Sequence, residues 1–134
     1  MSFHMLGYIY KNKTSKFYNL FKAIECYKMG IESNHANAMN YLAYIYSNEE
    51  KVKNIEKAIE LYNKAIDLGN SAAMYNLAYL YENGYGVIKD VGKAILLYQR
   101  SAKNGYENAI KKIHQYENGG MNQQYYQNYP RNNN

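Results

Sequence analysis

The strongest constraint on this chain is that it repeats itself every 35 or 36 residues. The segment Ala38-Met39-Asn40-Tyr41-Leu42-Ala43-Tyr44-Ile45-Tyr46 returns as Ala73-Met74-Tyr75-Asn76-Leu77-Ala78-Tyr79-Leu80-Tyr81. It occurs earlier as Leu6-Gly7-Tyr8-Ile9-Tyr10 and later, eroded, across residues 109–116. A second segment keeps the same step: Lys22-Ala23-Ile24-Glu25-Cys26-Tyr27, then Lys57-Ala58-Ile59-Glu60-Leu61-Tyr62, then Lys93-Ala94-Ile95-Leu96-Leu97-Tyr98. Two segments recurring in register mark a structural unit that stacks on copies of itself. In each segment the apolar residues fall at i, i+3, i+4 and i+7, one buried face of an α-helix. Each copy is therefore a hairpin of two helices, A and B.

The punctuation agrees with this division. Asn19, Asn54 and Asp90 each stand four residues before the alanine of helix B, where an Asx side chain can accept from the orphan amides of a helix start. Asn34, Gly69 and Gly105 occupy one equivalent position after helix B, as a left-handed C′ residue requires. Small residues recur where backbones must approach: Gly7, Ala43 and Ala78 in helix A, and Ala23, Ala58 and Ala94 in helix B. Tyr10, Tyr46, Tyr81, Tyr27, Tyr62 and Tyr98 then fill the wider gaps. One hairpin cannot bury both its faces, so stability is expected from stacking of neighbours. The expected organisation is a repeat domain over residues 1–117, with copies at about 2–37, 38–72 and 73–108 and a half copy at 109–117. The remainder, 118–134, is rich in Asn, Gln and Tyr, has no helical period and is expected to be a disordered tail.

Composition narrows the function. A hydrophobic fraction of 47% in 134 residues suffices for a core without metal or disulfide. The net charge of +5 arises from interspersed lysines and acids, as in Lys51-Lys53-Glu56-Lys57-Glu60-Lys64, which reads as a solvated helical surface. The single Cys26 cannot form an intramolecular disulfide and aligns with Leu61 and Leu97, so it is expected to be a small buried hydrophobe. His4, His35 and His114 lie on different elements without a partner carboxylate at a ligating spacing. Gly84-Tyr85-Gly86 follows a helix rather than a strand, and reads as a turn, not a phosphate loop. No nucleophile, base and orienter can be assembled, so no enzyme, cofactor or metal site is expected. The N-terminus shows no export signal, and no run of about 18 apolar residues exists to span a bilayer. An intracellular, cytoplasmic location follows as the expectation.

The third copy resembles the Sel1-like repeat family, a relative of the tetratricopeptide repeat. Ala73, Leu77, Ala78, Tyr81, Gly84, Gly86, Val87, Asp90, Lys93, Ala94, Tyr98, Ala102, Gly105 and Ala109 all fit its pattern. The period of 35 to 36 and the long A-to-B connection favour the Sel1-like type, and the resemblance covers residues 2 to 117. Copy 2, with Ser47-Asn48-Glu49-Glu50-Lys51-Val52, lacks both loop glycines and is one residue shorter; copy 1 has Asn12-Lys13-Thr14-Ser15 there. The resemblance implies an all-α, right-handed α/α superhelix of about three and a half helix-turn-helix repeats. It also implies an adaptor role, in which a protein or peptide partner docks on the concave face formed by the A helices.

Aligned on the tetratricopeptide pattern, three columns point into that face. They are His4, Asn40, Tyr75 and Lys111; Tyr8, Tyr44, Tyr79 and Gln115; and Lys11, Ser47, Glu82 and Asn118. The partner-binding residues expected are Tyr8, Tyr44, Tyr79, His4, Asn40, Tyr75, Lys111 and Glu82. The tyrosine ladder is the sharpest of these, because Tyr offers a rigid apolar face with a hydroxyl at low entropic cost. One alternative is a basic, Tyr-rich surface for nucleic acid, disfavoured by the alternating charges and the lack of a nucleic-acid-binding motif. Another is a truncated repeat protein with only a structural role. Phe3, Met5 and Leu6, on an uncapped first repeat, are expected to promote self-association.

Overall fold

The computed structural model describes residues 16–118, with side chains from residue 20 onward. Six α-helices follow in order: α1 Lys16–Glu32, α2 Ala36–Asn48, α3 Ile55–Asp67, α4 Ser71–Asn83, α5 Val91–Lys103 and α6 Glu107–Asn118. A short 3-10 helix, Glu50–Val52, precedes α3, and no strand occurs among the described residues. No helix is long and apolar enough to cross a membrane among those residues. The expected contributions of His4, Tyr8, Lys11, Phe3, Met5, Leu6, Gly7 and Tyr10, and the tail beyond Asn118, lie outside the described residues. Helices α2 and α4 are the A helices of copies 2 and 3, α1, α3 and α5 are B helices, and α6 is the half copy. The chain divides into two compact units, one ending at Ala73 and the other starting at Met74.

The helix ends follow from the punctuation, with one correction. Asn54 Oδ1 accepts from Lys57 N at 3.1 Å and Asp90 Oδ1 from Lys93 N at 3.0 Å, the expected caps of α3 and α5. Asn19, by contrast, lies inside α1, which already begins at Lys16. Nothing in Lys16-Phe17-Tyr18 breaks a helix. At the C-termini, Asn34, Gly69 and Gly105 take φ values of 63°, 84° and 87°. Each closes the same pair of bonds, for example Asn70 N to Ala65 O at 3.0 Å and Gly69 N to Ile66 O at 2.8 Å. This is the Schellman arrangement, which satisfies carbonyls that the helix leaves open.

The A-to-B connections differ in length yet close identically. Asn54 N donates to Tyr46 O at 2.8 Å, and Asp90 N donates to Tyr81 O at 2.9 Å. Copy 2 spans the interval with its 3-10 helix, whereas copy 3 uses Gly84 and Gly86 at φ 68° and 73°. The extra residue is absorbed in the loop, so the cap always lands at the same place relative to helix A.

In the first unit the core is built from Ala23, Ala38, Ala43 and Ala58 with Tyr27, Leu42, Ile45, Met39 and Tyr62, all buried. Cys26 is buried among them, as its alignment with leucine predicts. Burial first, and the charge of Glu25 second, push its thiol above the ordinary range. In the second unit, Ala78, Ala94 and Tyr98 have no exposed surface, and Tyr75, Tyr81, Leu97, Ile113 and Tyr116 pack around them. The alanines let helices approach closely, and the B-helix tyrosines fill what remains.

Candidate functional site

A buried tyrosine ring fills space, but its hydroxyl demands a partner. The two units answer that demand differently at equivalent positions. In the first unit the polar side chain acting on the Tyr62 hydroxyl is that of Ser47, whose Oγ donates to the Tyr44 carbonyl at 3.0 Å. In the second unit the Tyr98 hydroxyl donates to Glu82 Oε1 at 2.8 Å. Glu82 is the counterpart of Ser47, so a carboxylate replaces a hydroxyl. The Tyr116 hydroxyl donates to Glu82 Oε2, and Lys112 Nζ lies 3.1 Å from Oε1. Both carboxylate oxygens are thus engaged by α5 and α6. Burial first, then the bond to Glu82 and its charge, hold the Tyr98 and Tyr116 hydroxyls well above the usual tyrosine range. Tyr62 is raised chiefly by burial.

The columns expected from sequence separate in the structure. Tyr44 and Tyr79, both of the middle column, are 47% and 44% exposed. Gln115 and Lys111 are exposed on α6. Asn40 departs from the expectation, since it is only 6% exposed, and Ser47 is buried too. Both are short side chains on a crowded helix face, so their neighbours cover them while Tyr44 projects past. Tyr75 is half-buried, its ring 5.3 Å from that of Tyr98 and 5.4 Å from that of Tyr106. Glu82 is turned inward to the tyrosine hydroxyls instead of standing clear in solvent. His4 and Tyr8 lie outside the described residues.

Beside Glu82 the second unit carries an open groove of about 530 Å³, lined by Tyr79, Glu82, Asn83, Lys89, Val91, Lys112, Gln115 and Tyr116. Of these, only Tyr79 and Glu82 were expected binding residues. Lys112 and Tyr116 belong to the half copy alone, and Lys89, matched by Lys53 in copy 2, lies in the connection of variable length, so the recurrence of the helix motifs singles out none of the three. A recurring signal was also passed over. Lys57 and Lys93 open the helix-B motif, and each ammonium lies over a helix-A ring, Tyr46 at 5.6 Å and Tyr81 at 4.5 Å. These cation–π contacts tie the two helices of each hairpin together. No group of three or more His, Cys, Asp or Glu side chains able to hold a metal ion occurs among the described residues.

The comparisons with known proteins agree with the repeat geometry. A family model described as the Sel1 repeat matches residues 4–35, 36–70 and 71–106. No curated protein sequence gives a significant match. Among solved structures, a protective antigen of uropathogenic Escherichia coli displaying an SLR fold is 25% identical, with a TM-score of 0.71; the match covers 88% of this chain and 26% of the antigen. A Sel1 repeat protein from Oxalobacter formigenes is 29% identical, with a TM-score of 0.69 over 88% of this chain and 49% of its own. Helicobacter pylori cysteine rich protein B, 23% identical with a TM-score of 0.63, covers 81% of this chain and 87% of its own, and shows likeness of fold alone. The chain therefore spans about a quarter and a half of the first two relatives.

Proposed function

Since the chain belongs to the Sel1 repeat family, with its all-α, α/α-superhelix class of fold, we propose that it is a non-catalytic adaptor whose A helices bind a partner protein or peptide. Proteins of this family generally mediate protein–protein interactions. The observation that supports the reading is the exposure of Tyr44 and Tyr79, at one repeat-equivalent position, on helices whose neighbouring Leu42, Ala43, Leu77 and Ala78 are buried. A tyrosine half exposed offers on the order of 100 Å² to a partner. At roughly 25 cal/mol per Å², covering each ring would contribute about 2.5 kcal/mol before the costs of association are counted.

A photo-crosslinking residue placed at position 44 or 79 tests this. It should capture a discrete partner from native host extract, and the same residue at exposed Lys28 should not. Tyr44→Ala and Tyr79→Ala should abolish capture and keep the helical circular dichroism, whereas Tyr46→Ala, in the core, should lower it. Loss of helical signal in the first two variants would make these tyrosines structural and remove the basis of the proposal.

A further inference from the structure

The groove of the second unit has an unusual balance of donors and acceptors. Its one carboxylate, Glu82, is consumed inward: Oε1 accepts from Tyr98 at 2.8 Å and faces Lys112 at 3.1 Å, while Oε2 accepts from Tyr116. Lys89, Lys112 and Gln115 line the groove together with Tyr79, Val91 and Tyr116. Asn83 Nδ2 is already given to the Tyr79 carbonyl at 3.0 Å.

A comparison of copies shows how Lys89 came to be free. Lys53 and Lys89 both stand immediately before the N-cap of helix B. Lys53 is paired with Glu50 at 3.6 Å. At the position of Glu50, copy 3 has Gly86, and among the described residues no carboxylate pairs with Lys89. The added Gly84 also leaves room for the lysine stem, because a Cβ there would come within 3.1 Å of Lys89 Cβ. In copy 3 the added Gly84 thus makes room for the lysine stem, and Gly86 removes the acid that pairs its counterpart in copy 2.

We propose that this groove takes an acidic segment of a partner protein, its carboxylates paired with Lys89 and Lys112 and its apolar side chains laid on Tyr79, Tyr116 and Val91. Complementary charge is the argument for that occupant: Lys89 and Lys112 line the groove against the single carboxylate of Glu82, which Lys112 already pairs, so the lining keeps a net positive charge that rests on Lys89. A volume of about 530 Å³ suits a few side chains rather than a whole domain surface. The proposal deepens the adaptor reading above and rests on it.

The probes are two fluorescein-labelled peptides, one alternating Glu with Leu and the other Gln with Leu, followed by fluorescence anisotropy with the full chain at low salt. The Glu peptide should bind at least ten-fold more tightly than the Gln peptide. Lys89→Glu should weaken it ten-fold or more, and Lys28→Glu, of identical net charge but on α1, by less than two-fold. Equal weakening by both charge swaps would reveal only nonspecific attraction and overturn the groove, as would equal binding of the two peptides. Displacement of the Glu peptide by an oligothymidylate, with the same dependence on Lys89, would replace the acidic segment by a nucleic acid. Tyr44→Ala separates the two readings. If it abolishes partner capture while Lys89→Glu leaves the Glu peptide bound, the groove alone fails; if it leaves capture intact while Lys89→Glu releases the peptide, the tyrosine reading alone fails.

Discussion

Removing the hydroxyl of Tyr98 should cost more than removing that of Tyr62, although both rings are fully buried at equivalent positions. The reason is the partner. The polar side chain acting on the Tyr62 hydroxyl is neutral Ser47, and a bond between neutral groups contributes at most about 1 kcal/mol net. Tyr98 donates to a carboxylate, where about 1.5–3 kcal/mol is usual. In Tyr98→Phe the orphaned Oε1 still faces Lys112 at 3.1 Å, which keeps the loss nearer about 2 kcal/mol than the upper limit. The expected gap between Tyr98→Phe and Tyr62→Phe is therefore about 1 kcal/mol. Urea unfolding followed by circular dichroism reads it as a difference in midpoint at unchanged slope. Repeat arrays lose cooperativity easily, so amide exchange in α3 and α5 should accompany it, to assign each loss to its own unit. A double-mutant cycle of Tyr98→Phe with Glu82→Gln should show coupling of about 1 kcal/mol. Coupling near zero, or equal costs for the two Phe variants, would refute the view that Glu82 anchors the Tyr98 hydroxyl.

Three further outcomes follow. Asn54→Ala and Asp90→Ala each remove a side-chain acceptor from the third amide of a helix, and should each lower stability by about 1 kcal/mol in a urea midpoint, with Gly at either position costing only a few tenths. Gly105→Ala meets no atom within 4 Å and should cost about 1 kcal/mol from its φ of 87° alone; Gly84→Ala adds the 3.1 Å approach to Lys89 and should cost more by thermal unfolding. In alkali, Tyr62, Tyr98 and Tyr116 have folded-state pKa values raised above the unfolded value near 10, so their contribution is complete below about pH 10 and is lost as pH rises beyond it. A tyrosinate absorbance titration should show the exposed tyrosines ionising with helix intact, and these three only as helicity disappears; ionisation of all at once with no loss of helix would contradict the burial.

Much of the frame was legible because repetition averages out local ambiguity. A single Ala-x-x-x-Leu-Ala run fits a helix or a chance cluster; the same run in register at 38–43 and 73–78, with Asn34, Gly69 and Gly105 marking one boundary, does not. The start of α1 was misplaced at Asn19 because an Asx residue is a cap only where the chain before it is not helical. Exposure within the helix face was less legible. Asn40, Tyr44 and Ser47 fall on one stripe by spacing, yet only the tyrosine is long enough to clear the surrounding side chains. Spacing sets direction, and side-chain length together with the neighbours sets what reaches solvent.

The site itself resisted sequence reading for a related reason. The buried recurrent residues report what every copy must do, which is pack. Ala43 and Ala78, Ala58 and Ala94, and Tyr62 and Tyr98 are interchangeable in that sense, and the cation–π pairs of Lys57 and Lys93 belong with them. Tyr44 and Tyr79 recur exposed and offer contact area in both copies, so fixing a partner in one register needs in addition a feature that the copies do not share. The copies diverge at Ser47 against Glu82 and at Glu50 against Gly86. Both divergences lie in the second unit around one groove: the first builds a carboxylate anchored by α5 and α6, and the second strips a carboxylate from Lys89. One change supplies an internal acid where Lys112 can be held, and the other removes an acid where Lys89 is left open. Together they turn a packing unit into a donor-lined groove without altering the hairpin that carries it.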